Sequence, residues 1–136
     1  VTIQAQILDL LRDIQKKRQV ATILITHDIG VVARYSDRLM VMYAGEVVET
    51  GKTHEVINEP SHPYTKMLLE SLPSPKHHFR ELLPTIPGIV PDLHRRPAGC
   101  LLAERCRYPQ DRCHTEHPKL ETDQKSRKVR CFYPIS

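Results

Sequence analysis

The run Thr22-Ile23-Leu24-Ile25-Thr26 ends abruptly at His27-Asp28. Consecutive apolar residues bounded by polar ones read as a buried strand rather than a half-exposed one. Such a strand is at home in a parallel sheet with helices over both faces, so this one stretch points to an α/β architecture. Ligands in open α/β sheets sit outside the carboxyl ends of the strands, and His27 falls just past that end. An imidazole there can donate a hydrogen bond to an anionic ligand. It can equally be a strand-end histidine satisfied by a loop carbonyl.

The flanking sequence extends the pattern. Ile3, Ile7, Leu10, Leu11 and Ile14 form one apolar stripe at helical spacing, which predicts a helix from about Thr2 to Arg18 packed on the sheet. Val20–Ile25 is the first predicted strand, and 27–36 a helix with Ile29, Val32 and Ala33 inward and Asp28 suited to its dipole. Residues 38–43 and 46–50 read as two strands joined through Ala44-Gly45. Thr53 can cap a short helix over 54–58. Pro60 stops it, Ser61 can cap the next, and Pro63 fits the first turn of that helix. It runs to about Leu72 and buries Tyr64, Met67, Leu68 and Leu72. Between Pro73 and Gly99, prolines at 73, 75, 84, 87, 91 and 97 forbid a continuous helix. That stretch is expected to be an extended connector with short β pieces around Leu83 and Ile89.

These residues carry a resemblance. Ile25-Thr26-His27-Asp28, the hairpin Met42-Tyr43-Ala44-Gly45-Glu46-Val47-Val48-Glu49, and Pro60-Ser61-His62-Pro63-Tyr64-Thr65 occur in the order seen near the end of an ABC-transporter ATPase domain. The last segment resembles the HPY signature of the dipeptide/oligopeptide importer subfamily, and Ile86-Pro87-Gly88-Ile89-Val90-Pro91 resembles a turn of the same group. The resemblance implies the C-terminal part of an ABC-type P-loop ATPase domain followed by a small irregular cysteine-rich domain. The implied borders are 1–59 for the ATPase portion, 60–99 for the HPY helix and connector, and 100–136 for the tail. It also implies that His27 is the switch histidine contacting the γ-phosphate of ATP. The implied partners are membrane-spanning permease subunits and a second ATPase subunit, at the cytoplasmic face of the cell membrane.

The four cysteines, Cys100, Cys106, Cys113 and Cys131, all lie in the tail with spacing C-x5-C-x6-C-x17-C, and this confinement argues that they act together. By residue type alone, three readings stand. Four thiolates can hold a [4Fe–4S] cluster. They can hold structural zinc, with His114 and His117 near enough in sequence to substitute as ligands. They can also form two disulfides, which a cytosolic location would keep reduced. The importer resemblance implies the cluster, with all four as ligands. From Pro97 onward the chain is polar and poor in aliphatics, so it needs a source of folding free energy beyond a core of its own, and a metal centre would supply it.

Other observations bound the function. No apolar run of about 18 residues is present to span a membrane, and no signal-peptide pattern is visible. Net charge is only +4 over 136 residues. The one dense basic cluster, Lys125-Ser126-Arg127-Lys128-Val129-Arg130, lacks interleaved aromatics. It reads as a solvated turn beside a metal site, with no nucleic-acid partner. No G-x-x-x-x-G-K-[ST] loop occurs; Gly51-Lys52-Thr53 ends like one, but Glu46 stands where its first glycine should be. The signature Ser-Gly-Gly segment and a strand-end carboxylate for Mg2+ are also missing. The helical pattern opens almost at Val1, so a longer parent is expected. That parent would be an ATPase driving peptide import, whereas these residues alone should hydrolyse little ATP. The alternative is a non-enzymatic metal-binding interaction module.

Overall fold

The computed structural model describes residues 3–72, 84–92, 94–123 and 126–135. It is a mixed α/β chain that divides into two compact units, residues 1–37 and 38–136.

The first unit holds α1 (Ile3–Arg18) and α2 (Ile29–Tyr35). The Tyr35 hydroxyl donates to the Asp9 carboxylate at 2.9 Å. The expected buried strand over 20–25 is not formed. Residues 20–26 carry no regular structure, and Ile23 and Ile25 are 91% and 93% exposed. The α1 stripe is likewise open to solvent instead of packed on a sheet. A strand exists only through ladder bonds to a neighbour, and among the described residues of this unit no other extended segment runs beside 20–25.

The second unit is built on a hairpin. β1 (Arg38–Tyr43) and β2 (Glu46–Lys52) pair antiparallel. Ala44 and Gly45 both have positive φ, 46° and 80°, the backbone that a tight two-residue hairpin turn needs to match strand twist. The pairing slips once: Val41 faces Glu49, but Met42 faces Val47. Val48 is therefore an extra residue, a β-bulge. Regular alternation would send Val48 and Glu49 to opposite faces; across the bulge both are buried.

α3 (Thr53–Asn58) and α4 (Pro63–Glu70) follow. Thr53 does not cap α3; it is the first helical residue, and its hydroxyl is buried without a partner. Nor does Ser61 cap α4: the cap is His62, whose ring accepts from the Tyr64 N–H. Leu72 lies beyond the helix and is only partly buried, while Met67 is fully inside. The expected β piece at Leu83 lies outside the described residues, and the one at Ile89 is absent, its side chain 91% exposed. The Ile86–Gly88 turn is instead pinned by Arg105, which donates to the carbonyls of Pro87 (2.7 Å) and Ile86 (3.2 Å) and to the Tyr43 hydroxyl (3.1 Å).

The tail does not stand apart as a separate domain. After a short 3-10 turn (Ala103–Arg105) and α5 (Asp111–Thr115), β3 (Glu121–Thr122) and β4 (Lys128–Val129) complete a sheet of order β1-β2-β4-β3. β4 pairs with β2, and the Arg130 N–H donates to the bulged Val48 carbonyl at 2.8 Å. Leu101 and Leu102 enter the same core as Val41, Tyr43, Val48, Val56 and Met67. The tail borrows the hairpin's core, a source of stability that its own composition does not reveal. Two arginines of the basic cluster turn inward. Arg127 is buried, pairs with Asp123 at 2.9 Å, and donates to the Glu59 carbonyl at 2.5 Å and to the Ser61 hydroxyl. Arg130 donates to the carbonyls of Val47 (2.8 Å) and Pro118 (3.2 Å).

Candidate functional site

Thr26-His27-Asp28 folds as a helix start. The Asp28 carboxylate accepts from the Val31 N–H at 3.1 Å, and the Asp28 N–H donates to the Thr26 hydroxyl at 3.0 Å. These local bonds satisfy the donors that the first turn of α2 leaves open. His27 itself is exposed and falls in the first unit, whereas the four cysteines fall in the second.

The cysteines converge. Cys100, Cys106, Cys113 and Cys131 all line one cleft, together with His62 and Pro63 of the α4 start and Phe132 and Tyr133. Local backbone geometry brings the first three together. The Cys100 N–H donates to the Cys113 carbonyl at 2.7 Å, the Ala103 N–H to the Cys100 carbonyl at 3.0 Å, and the Cys106 N–H to the Ala103 carbonyl at 3.3 Å. Gly99 allows this approach, because a side chain there would meet the Cys113 carbonyl oxygen at 2.3 Å. Burial pushes the Cys131 thiol up to about 11 and also raises Cys100 and Cys106, and neighbouring cysteines add to the rise in all three. Such thiols stay protonated near neutral pH unless a cation replaces the proton.

All four are free thiols, so the disulfide reading does not hold. Among the described residues, no group of three or more His, Cys, Asp or Glu side chains is placed to hold a metal ion. A single tetrahedral zinc at about 2.3 Å from each sulfur would require sulfurs about 3.8 Å apart. The proposed substitute ligands are also engaged elsewhere. His114 lies 3.5 Å from Glu104, and His117 bonds the Gly99 carbonyl (3.1 Å) and Glu46 (3.0 Å). The four thiols share one cleft without forming such a group among the described residues.

Sequence reasoning missed the residues that support this cleft. The Glu49 carboxylate, completely buried, accepts from the Ser61 N–H at 2.8 Å and the His62 N–H at 3.0 Å. His62 is buried too. Its Nδ1 accepts from the Tyr64 N–H at 3.1 Å. Only the adjacency of His62 to Pro63 hinted at a cap, and nothing in the alternation of β2 marked Glu49 as inward.

Burial drives the His62 pKa down from 6.5 to about 4. Between those values the unfolded chain takes up a proton that the folded chain refuses, so stability falls as pH drops through the window. The loss is on the order of 3 kcal/mol. We expect the urea midpoint to fall from pH 7 to pH 4.5, and the difference to shrink in His62→Asn. An equal pH dependence in both proteins would refute it.

The second unit is an α/β unit whose HPY segment lines a four-cysteine cleft, and known proteins resemble it. Residues 48–113 match the family described as the oligopeptide/dipeptide transporter C-terminal region. The match includes the HPY segment and the first three cysteines. The chain is 47% identical over 135 residues to the dipeptide transport ATP-binding protein DppD of Escherichia coli, covering 99% of this chain and 41% of that protein. The corresponding protein of Haemophilus influenzae is 46% identical over 136 residues, 100% of this chain and 41% of its own. A peptide import ATP-binding protein of Brucella melitensis is 47% identical over 118 residues, 87% of this chain and 35% of its own. Over nearly its whole length the chain is therefore similar to the C-terminal portion of dipeptide and peptide import ATP-binding proteins. It spans about two fifths of the length of the curated relatives it matches. The alternative of a non-enzymatic metal-binding module finds no support in these matches. Among the described residues no helix is long and apolar enough to cross a membrane.

Proposed function

We propose that this chain serves as the C-terminal portion of the ATP-binding subunit that couples ATP hydrolysis to the import of dipeptides or oligopeptides. The observation that carries the reading is the near-complete coverage of the chain by peptide-import ATP-binding proteins at 46–47% identity. On this reading, the parent subunit binds ATP and Mg2+, pairs with a second ATPase subunit, and docks on membrane-spanning permease subunits at the cytoplasmic face. The exposed run over 20–25 and the exposed stripe of α1 then pack against the portion of the relatives' length that this chain does not span. Residues 1–59 complete the ATPase domain, 60–99 connect, and 100–136 form the cysteine-rich tail.

His27 is assigned as the switch histidine, a hydrogen-bond donor for charge that develops at the γ-phosphate. Removing one such donor typically costs about 100- to 1000-fold in turnover. In the intact subunit, His27→Ala should lower kcat on that scale and leave ATP affinity nearly unchanged, because the contact strengthens only in the transition state. Turnover within a few-fold of normal would overturn the assignment.

The four cysteines are assigned as ligands of a [4Fe–4S] cluster with a structural role. Convergence of four free thiols on one cleft supports this. When bound, the cluster supplies a cross-link between α5, the 3-10 turn and the end of the chain. Protein purified anaerobically should carry about four irons per chain; a colourless, iron-free protein would remove the assignment.

A further inference from the structure

The four cysteines are not held alike. Cys113 lies within α5, the Cys100 N–H donates to the Cys113 carbonyl at 2.7 Å, and Cys131 closely follows β4. Cys106 ends a 3-10 turn of only three residues, where its N–H donates to the Ala103 carbonyl at 3.3 Å. Residues 107–110 after it are exposed and carry no helix or strand. The residue before it supplies the hold that this backbone lacks. All three nitrogens of the Arg105 guanidinium are engaged. Nε donates to the Pro87 carbonyl at 2.7 Å, one terminal nitrogen to the Ile86 carbonyl at 3.2 Å, and the other to the Tyr43 hydroxyl at 3.1 Å. The guanidinium carbon also lies 5.8 Å from the centre of the Tyr43 ring. Tyr43 is buried, and its ring centre stands 4.7 Å from that of Tyr64 in the HPY segment. Only the planar fork of arginine can serve several acceptors in this way. Gly88 completes the turn that receives it. Its φ is 75°, and an added Cβ would meet the Arg105 Cγ at 3.3 Å. Glycine adopts that φ without the steric cost a side chain would bring.

We propose that Arg105 is the positioning residue for Cys106, and that the Ile86–Gly88 turn is the receptor that holds Arg105. The two carbonyls of the turn and the Tyr43 hydroxyl fix the guanidinium, and the guanidinium fixes the end of the 3-10 turn where Cys106 stands. The connector thereby takes part in building the cysteine cleft, although residues 84–92 contribute no helix or strand. This rests on the cluster reading for its purpose, but the placement of Cys106 can be measured without metal.

The experiment is timed iodoacetamide labelling of the full chain, metal-free and reduced, with each cysteine read by peptide mass spectrometry. The quantity compared is the rate at Cys106 divided by the rate at Cys131, which general loosening of the fold leaves unchanged. Arg105→Met keeps the stem and removes every donor. We expect it to raise the ratio about tenfold, the equivalent of one lost hydrogen bond. Arg105→Lys keeps the charge and a single donor group, so its ratio should fall between wild type and Arg105→Met. Gly88→Ala disturbs the receptor and leaves the arginine in place, and it should also raise the ratio. The double variant should match Arg105→Met alone, because a turn with no arginine to hold has nothing more to lose. A wild-type ratio in Arg105→Met, with the other cysteines also at wild-type rates, overturns the proposal. If Arg105→Met instead accelerates all four cysteines alike, Arg105→Lys and Gly88→Ala decide, and a wild-type ratio in both overturns it. Effects that multiply in the double variant overturn the turn as the receptor. A parallel arm reads iron after anaerobic reconstitution. Wild type should hold about four irons per chain, and Arg105→Met a cluster short of iron. Iron-free wild type would remove the cluster reading alone and leave the labelling to decide the placement. A full cluster in Arg105→Met would overturn the link between Arg105 and the metal site.

Discussion

Gly99→Ala will unfold the cysteine cleft. An alanine Cβ would stand 2.3 Å from the Cys113 carbonyl oxygen and 2.6 and 2.7 Å from the carbonyl carbon and oxygen of His114. All three are backbone atoms, so no side chain can swing away to make room. The two segments cannot separate either without breaking the 2.7 Å bond from the Cys100 N–H to the Cys113 carbonyl. Overpacking of this kind costs about 1–3 kcal/mol where the surroundings can shift, and more where they cannot. We expect a loss of at least about 3 kcal/mol, seen as a melting temperature lower by about 10 °C or more for a unit of this size. Iodoacetamide should also reach Cys100 and Cys113 more rapidly. A melting temperature within a degree or two of wild type would show that the backbones are not locked at this distance.

Glu49→Ala should be nearly as damaging, for a different reason. The carboxylate is fully buried and receives two backbone N–H groups from the turn between α3 and α4. Charge-assisted bonds of this type contribute about 1.5–3 kcal/mol each, and the orphaned donors would remain inside the protein. The expected loss is about 3–5 kcal/mol. Glu49→Gln is the informative control. It keeps the volume but offers one acceptor and one donor, so one N–H keeps its partner and the other meets an N–H group. Its loss should be about half that of alanine. Chemical denaturation reads both; a glutamine variant as stable as wild type would mean that the charge and second acceptor contribute nothing.

Local chemistry was legible from the sequence. The α1 periodicity, the Asp28 start of α2, the hairpin around Ala44-Gly45 and the proline at the start of α4 all rest on contacts within a few residues, and each formed where expected. The HPY and cysteine motifs could also be read, and they pointed to the proteins that the chain resembles. Elements that need a distant partner fared differently. The apolar run 20–25 has the composition of a strand covered on both faces, yet composition cannot supply the neighbour that makes a strand, and Ile23 and Ile25 stand exposed.

What the sequence by itself determined, then, was the set of short-range elements, the family resemblance and the grouping of four thiols in one segment. Tertiary structure decided what those thiols are anchored to. Strand alternation places Glu49 outward; one extra residue at Val48 turns it inward, because a bulge shifts every later side chain to the other face. The inward carboxylate then captures Ser61 and His62, and the Ser61 carbonyl accepts from Ile135, four residues after Cys131. The basic cluster likewise reads as solvated, yet Arg127 and Arg130 satisfy buried carbonyls from β2 and from the turn after α3. These two contacts join residues 68 and 83 positions apart. No local pattern records them, because their free energy comes from partners that meet only after the sheet has closed over the α4 start.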